Sequence, residues 1–284
     1  MSQSLIHPRI QDAGVGLRSQ HYASILANLP SVPWFEVLSD NYLDDYGPPL
    51  QKLEVIRQHY PVVMHGVGLS IGSSDPLNKD YLNRIKALAE RIDPAWISDH
   101  ICWTSHNHRY SHELLPLPYT EAVINHIVAR IQTVQDCLKR PLLLENISSY
   151  LRFNLSEMSE PEFINSIATR SGCGILLDIN NIYVNSHNHG FKAEDYVQAI
   201  QVKAVKQFHL AGYEKTAHLL VDTHGAAIFP EVWQLYQLAL NRFGPIPTCI
   251  EWDNHVPDWG SLLAETHKAQ AMLDAIVKAE ALCN

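Results

Sequence analysis

Eight short apolar or β-branched runs punctuate the chain, and each is followed by a stretch with helical periodicity. The runs read as strands at Gly14–Leu17, Trp34–Leu38, Val62–His65, Trp96–Ile101, Leu142–Glu145, Ile175–Asp178, Lys206–Leu210 and Thr248–Glu251. Amphipathic patterns fall at Gln20–Ala27, Pro49–His59, Lys79–Arg91, Thr120–Leu138, Glu160–Arg170, Ala193–Val202 and Pro230–Arg242, with a last helix from Ser261 to about Ala281. Several runs, such as Leu142–Leu144 and Ile175–Leu177, are continuously apolar rather than alternating, as parallel strands covered by helices require. Eight strand–helix repeats joined by right-handed crossovers make an α/β chain of the (β/α)8 TIM-barrel class. An open doubly wound sheet would need a glycine-rich phosphate loop after its first strand, and Gly14–Gln20 (GVGLRSQ) does not supply one. The 284 residues suit one barrel domain over 1–284, with no linker or low-complexity tract to divide it.

Composition narrows the function. With 21 basic against 30 acidic residues the formal charge is −9, which speaks against a nucleic-acid surface built from clustered Lys and Arg. No run approaches the roughly 20 apolar residues of a membrane span, and the N-terminal MSQSLIHPRIQDAG lacks a secretory apolar core. The five cysteines (Cys102, Cys137, Cys173, Cys249 and Cys283) are odd in number and scattered, without a CxxC pair. That pattern predicts a cytoplasmic protein with neither a disulfide framework nor a thiolate zinc site. Histidine is in surplus, at 16 residues against 7 Phe and 6 Trp, a first pointer to metal chemistry.

The polar residues fall where a barrel keeps its active site, at the C-terminal ends of its strands. In order these ends carry His65, then Asp99 and His100, Glu145 and Asn146, Asp178, His209 and Glu251, while the loop after the seventh strand adds Asp222 and His224. Any one of them is an ordinary cap or a satisfied polar group. Four histidines and four carboxylates gathered at one mouth would instead cost several kcal/mol per unpaired charge, a cost that bound cations remove. The expected metal ligands are therefore His65, His100, Glu145, Asp178, His209, Asp222, His224 and Glu251. Imidazole and carboxylate without thiolate suit zinc, iron or manganese. Eight ligands exceed one ion's needs, so at least a dinuclear centre is expected, bridged by Glu145 near the middle of the ring. Asp222 and His224, two apart on an extended stretch, would point the same way towards a further ion. Asp99, Asn146, Asn181 and His189 are expected as auxiliary ligands or as groups that orient the ligands. Asp253 is expected as a catalytic proton shuttle at the mouth. His187 and His189 lie in a His- and Asn-rich segment read as a loop, and His106, His108 and His112 as solvated loop histidines.

The succession MHGVGLS, SDH, LLLEN, LLDINNIYVNSHNHG, FHLAGY, DTHG and EWDN resembles the multinuclear non-heme iron-dependent oxidative enzymes. This bacterial family was formerly labelled a domain of unknown function and includes enzymes of methanobactin biosynthesis. The resemblance runs from about Gly14 to Met272, and its most specific part is DINNIYVNSHNHG followed by FHLAG and DTHG. It implies a xylose-isomerase-like barrel holding two or three irons in mixed valence, with zinc or manganese as possible substitutes. It further implies dioxygen as co-substrate and a non-heme iron oxidoreductase that modifies cysteines of a ribosomally made precursor peptide. A separate leader-binding partner protein is implied as well. Residue by residue, one iron would sit at His65, His100 and Glu145. Glu145 would bridge it to a second at Asp178, His209 and Glu251, and a labile third would use Asp222 and His224. The long loop Cys102–Pro118 would then form part of a peptide cleft. A second family, the trinuclear-zinc endonucleases acting at abasic DNA, shares this ring but has a histidine where this chain has Asn181. The alternative is thus a metal-dependent hydrolase or phosphodiesterase. A sugar isomerase ranks below it because of the four histidines, and a catalytically silent metal-binding barrel is the non-enzymatic option.

Overall fold

The computed structural model describes residues 10–44, 46–107 and 109–283; His108 lies outside the described residues. Eight parallel strands close on themselves: β1 Ala13–Gly16, β2 Phe35–Leu38, β3 Val62–His65, β4 Ile97–His100, β5 Leu142–Glu145, β6 Gly174–Asp178, β7 Val205–Leu210 and β8 Thr248–Ile250. Each pairs with its neighbours in chain order, and β8 returns to β1 through Gly14 opposite Cys249. Every residue of β3, β4, β5 and β6 is buried; β3, β5 and β6 accordingly run without polar side chains up to a terminal ligand-type residue, while β4 buries Ser98 and Asp99 before His100.

The outer layer is α1 Tyr22–Asn28, α2 Pro48–Arg57, α3 Lys79–Ile92, α4 Glu121–Leu138, α5 Glu160–Ser171, α6 Ile179–His189, α7 Ala193–Ala199, α8 Pro230–Phe243 and α9 Trp259–Cys283. On α3 the buried residues are Leu82, Ile85, Leu88, Ala89 and Ile92, a helical stripe laid against the barrel. The capping box legible in sequence forms at α5, where the Ser159 backbone N–H and hydroxyl donate to Glu162 at 2.8 and 2.7 Å. Gly172 ends that helix at φ 73°, a conformation that favours glycine. No helix of the described residues is long and apolar enough to cross a membrane.

Three segments differ from their sequence reading. The His- and Asn-rich stretch after β6 is not a loop but helix α6, capped where the Asp178 carboxylate accepts from the Asn181 N–H at 2.6 Å. Its buried face is partly built of asparagines, which hides the apolar periodicity. Asn181 and Asn185 donate side-chain N–H groups to the backbone carbonyls of Asn146 and Ile147 at 3.1 and 2.9 Å. Within Cys102–Pro118, Trp103–His106 pairs with Arg109–Leu115 as an antiparallel hairpin that turns at Asn107 (φ 50°). The segment read as Ala193–Val202 stops helical structure at Ala199, and a short 3-10 turn follows at Val202–Ala204.

Gly14 is required by close approach: a Cβ there would stand 2.3 Å from Cδ2 of the fully buried Trp34. Gly14→Ala is therefore expected to cost about 1–3 kcal/mol of stability through overpacking. The measurement is the urea midpoint at unchanged slope; an unmoved midpoint would show that Trp34 has room to shift.

Candidate metal centre

Barrel closure places the strand-end residues around one space. In the parallel register His100 stands opposite Glu145, and Asp178 opposite His209. His100 Nδ1–H donates to the Gly66 carbonyl at 3.1 Å, and His65 Nδ1 lies 2.8 Å from the Ser98 hydroxyl, which itself donates to the Met64 carbonyl. Those contacts put the Nδ1 protons outward and leave both Nε2 atoms facing the cavity, 3.3 Å apart. Each is close to the same oxygen of Glu145, Oε2, at 3.2 Å from His65 and 3.3 Å from His100.

The other Glu145 oxygen serves a second set. Oε1 lies 3.4 Å from His209 Nδ1, the nitrogen that also approaches Glu251 Oε2 at 2.9 Å and Asp178 Oδ2 at 4.0 Å. Within His65–His100–Glu145, and within Glu145–Asp178–His209–Glu251, the ligand atoms all lie inside 4.8 Å of one another. His224 continues the line: Nε2 is 2.7 Å from Asp222 Oδ1 and 3.7 Å from Asp178 Oδ2, while Nδ1 is 3.2 Å from Glu251 Oε2.

The donor set fits cations. Glu145 Oε2, Asp178 Oδ2, Asn181 Oδ1, His209 Nδ1 and His224 Nε2 are buried polar atoms without a well-formed hydrogen bond. Such groups are rare in folded proteins unless something else satisfies them. Burial pushes Glu145 up to about 7 and Asp178 well above the usual carboxylate range. Burial, with His100 and His209 nearby, holds His65 well below an ordinary histidine. Glu251 goes the other way: burial would raise it, but His209 and His224 beside it outweigh that and hold it well down.

Residues 12–274 match the profile of the RiPP precursor modification enzyme family MbnB/TglH/ChrH. The chain belongs to that family. It is 52% identical over 264 residues to a UPF0276 protein of Acaryochloris marina, covering 93% of this chain and 95% of the relative. A UPF0276 protein of Caulobacter vibrioides is 47% identical over 259 residues, covering 91% and 92% respectively. Among solved structures, an L-ribulose 3-epimerase superposes with TM-score 0.61 at 14% identity, covering 96% of this chain and 98% of that one. Endonuclease IV of Thermus thermophilus gives 0.59 at 11%, covering 93% and 99%. A xylose isomerase-like TIM barrel protein of Mycobacterium smegmatis gives 0.54 at 12%, covering 82% and 80%. These likenesses show the xylose-isomerase-like TIM-barrel fold.

In this MbnB/TglH/ChrH member the remaining expected residues are placed unevenly. Asn146 clamps the end of β6, accepting from the Asp178 N–H at 2.8 Å and donating to its carbonyl at 3.0 Å. Asn181 keeps its amide oxygen unpaired and buried beside the ring. Asp99 stays outside the ligand sets because strand alternation turns it away from His100. Its carboxylate accepts from the Leu69 and His100 N–H groups, and burial pushes it up to about 7. His189, on the last turn of α6, also stays outside them and lies 2.7 Å from the Ser149 carbonyl. Asp222 and His224 point the same way, Nε2 lying 2.7 Å from Oδ1, with the backbone bending at His224 (φ 44°); Asp222 also accepts from Ser148 and Asn180, each at 2.9 Å. Asp253 lies 3.3 Å from His224 Nδ1 and is ion-paired at 2.5 Å with Arg18, whose same nitrogen reaches Glu251 at 3.8 Å.

Arg18 and Glu36 escaped the sequence reading. Glu36, in mid-β2 and 3% exposed, holds His209 Nε2 at 2.9 Å across 173 residues of chain. Its other partner is Gln207, which donates at 2.5 Å and accepts from the Trp96 indole at 2.5 Å. The signal was a lone carboxylate within the apolar run Trp34–Leu38, since an acidic residue is almost never buried without a partner. Glu36 directs His209 Nδ1 into the ligand set. Glu36→Gln is expected to weaken metal at the Asp178–His209–Glu251 set about 10–100-fold, read by chelator competition. An unchanged affinity would remove Glu36 from the centre.

Proposed function

We propose that this chain is a multinuclear iron enzyme that uses dioxygen to modify cysteines of a ribosomally made precursor peptide. The observation that carries the reading is Glu145, which offers one oxygen to His65 and His100 and the other to the set around His209. This placement supports Glu145 as a carboxylate that would bridge two ions rather than serve one. When bound, the irons supply one-electron chemistry towards dioxygen and an open position for a thiolate.

The chain's own groups divide the remaining work. His65, His100 and Glu145 would hold one ion, and Glu145, Asp178, His209 and Glu251 a second. Asp222 and His224, with the free amide oxygen of Asn181, suit a third of weaker affinity. Asp253 holds or passes a proton at the His224 Nδ1 edge, positioned there by Arg18. A separate partner protein that holds the peptide's leader belongs to the same reading. A zinc hydrolase on this barrel is the competing reading, and the amide of Asn181 and the charge of −9 both weigh against it.

Metal analysis of the protein made in iron-replete cells tests the proposal. Two or more irons with a ferrous–ferric optical or spin-resonance signal are expected. Stoichiometric zinc that survives iron feeding would overturn it in favour of the hydrolase.

A further inference from the structure

Between the β5–α5 loop, α6 and α7 lies a cavity of about 550 Å³, within the roughly 300–1,000 Å³ range of ligand pockets. Leu117, Leu151, Phe153, Met158 and Phe191 give it apolar walls. Leu151 and Phe153 are 63% and 37% exposed, and Leu155 beside them 75%, an apolar patch confined to the loop between β5 and α5. Among the lining groups the Glu160 carboxyl lies beside the phenols of Tyr119 and Tyr196, and burial pushes it up to about 8. It is therefore uncharged at neutral pH. With Glu160 uncharged, Arg152 and Lys192 outnumber Asp195 by one, so the lining carries a small positive excess that disfavours a cationic guest.

The cavity is built from the same elements as the ligand ring. The β5–α5 loop begins at Glu145; its Ser148 hydroxyl donates to Asp222 at 2.9 Å, and its Ser149 lines the cavity. Helix α6 begins at Asp178, and Asn185 and His189, seven and eleven residues on, line the cavity as well. Both grip Ser149, Asn185 by accepting its N–H at 2.7 Å and His189 at its carbonyl at 2.7 Å. At about 1.5 Å per residue along a helix, the cavity lies about 10 to 16 Å from Asp178. An extended peptide covers about 3.3–3.6 Å per residue, so about three to five residues bridge that distance.

We propose that this cavity seats a bulky apolar side chain of the precursor peptide, about three to five residues from the cysteine presented to the ligand ring. The inference rests on the peptide reading above and adds a specificity pocket to it. A peptide is the fitting occupant because the family acts on peptide precursors and because ring and pocket share one exposed loop. The apolar walls and the uncharged Glu160 select an aromatic or aliphatic side chain over a cationic one.

The test uses the metal-loaded full chain and labelled short Ser/Gly peptides carrying one cysteine and one phenylalanine at increasing spacing, titrated by fluorescence anisotropy. Affinity should peak at about three to five residues' spacing, at least about tenfold above the phenylalanine-free peptide. Phe153→Asp and Leu151→Asp, both at exposed loop positions, should each erase the peak and leave metal content unchanged. Affinity that ignores the phenylalanine, or that survives both variants, overturns the apolar seat. Serine in place of the peptide's cysteine separates the two readings. If the spacing peak is the same with serine and still needs Phe153, the seat stands and the presentation of cysteine at the ring falls.

Discussion

Alanine at Glu145 is expected to strip more than one equivalent of metal from the protein. The two oxygens of this side chain face different partners, Oε2 towards His65 and His100 and Oε1 towards His209. Removing it takes one ligand from each set at once and leaves five buried groups, His65, His100, Asp178, His209 and Glu251, crowded without the carboxylate between them. His65→Ala, by contrast, touches one set and should lose about one equivalent, the same set thinned by a single donor. Elemental analysis of both variants after equilibration with the same metal makes the comparison. Loss of one equivalent or fewer from Glu145→Ala would contradict the bridge and return the centre to independent single-ion sites.

Chelation is expected to lower the melting temperature by roughly 10 °C. A ligand that binds only the folded chain stabilises it by about 4 kcal/mol at a thousand times its dissociation constant. For a domain of this size each kcal/mol moves the midpoint by about 2–4 °C. The folded chain offers a cation site that the unfolded one lacks, because Glu145, Asp178, His209 and Glu251 come together only when the barrel closes. The pH dependence has a definite sign. Burial holds the metal-free Glu145 up at about 7, so below that pH a proton must leave before a cation can enter. The metal-linked increment should accordingly shrink as pH falls below about 7. Scanning calorimetry with and without chelator, at two pH values, reads both effects. A melting temperature that ignores the chelator would mean that the orphaned buried atoms are satisfied in some other way.

Much of the framework was legible without coordinates because it is encoded locally. A continuously apolar run says that a strand is covered on both sides, and a strand that ends on His, Asp or Glu announces the functional rim of a barrel. The run Leu142–Glu145 carries both messages in four residues, and it forms β5 as read. Helix α6 shows where local reading failed. Its inner face uses Asn181 and Asn185 to satisfy carbonyls of the neighbouring loop, so the hydrophobic period disappears although the helix is well buried.

The sequence by itself determined the barrel, its order of strands and the concentration of imidazole and carboxylate at one end, since periodicity and strand-end chemistry are written in consecutive residues. Tertiary structure alone decided which nitrogen of His209 faces the ring, because that choice is made by Glu36 on a strand 173 residues away. It also decided that Arg18 holds Asp253, that Asp99 turns away, and that a cavity opens between the β5–α5 loop, α6 and α7. Those pairings depend on closure and register, which set distances between residues that share no local pattern.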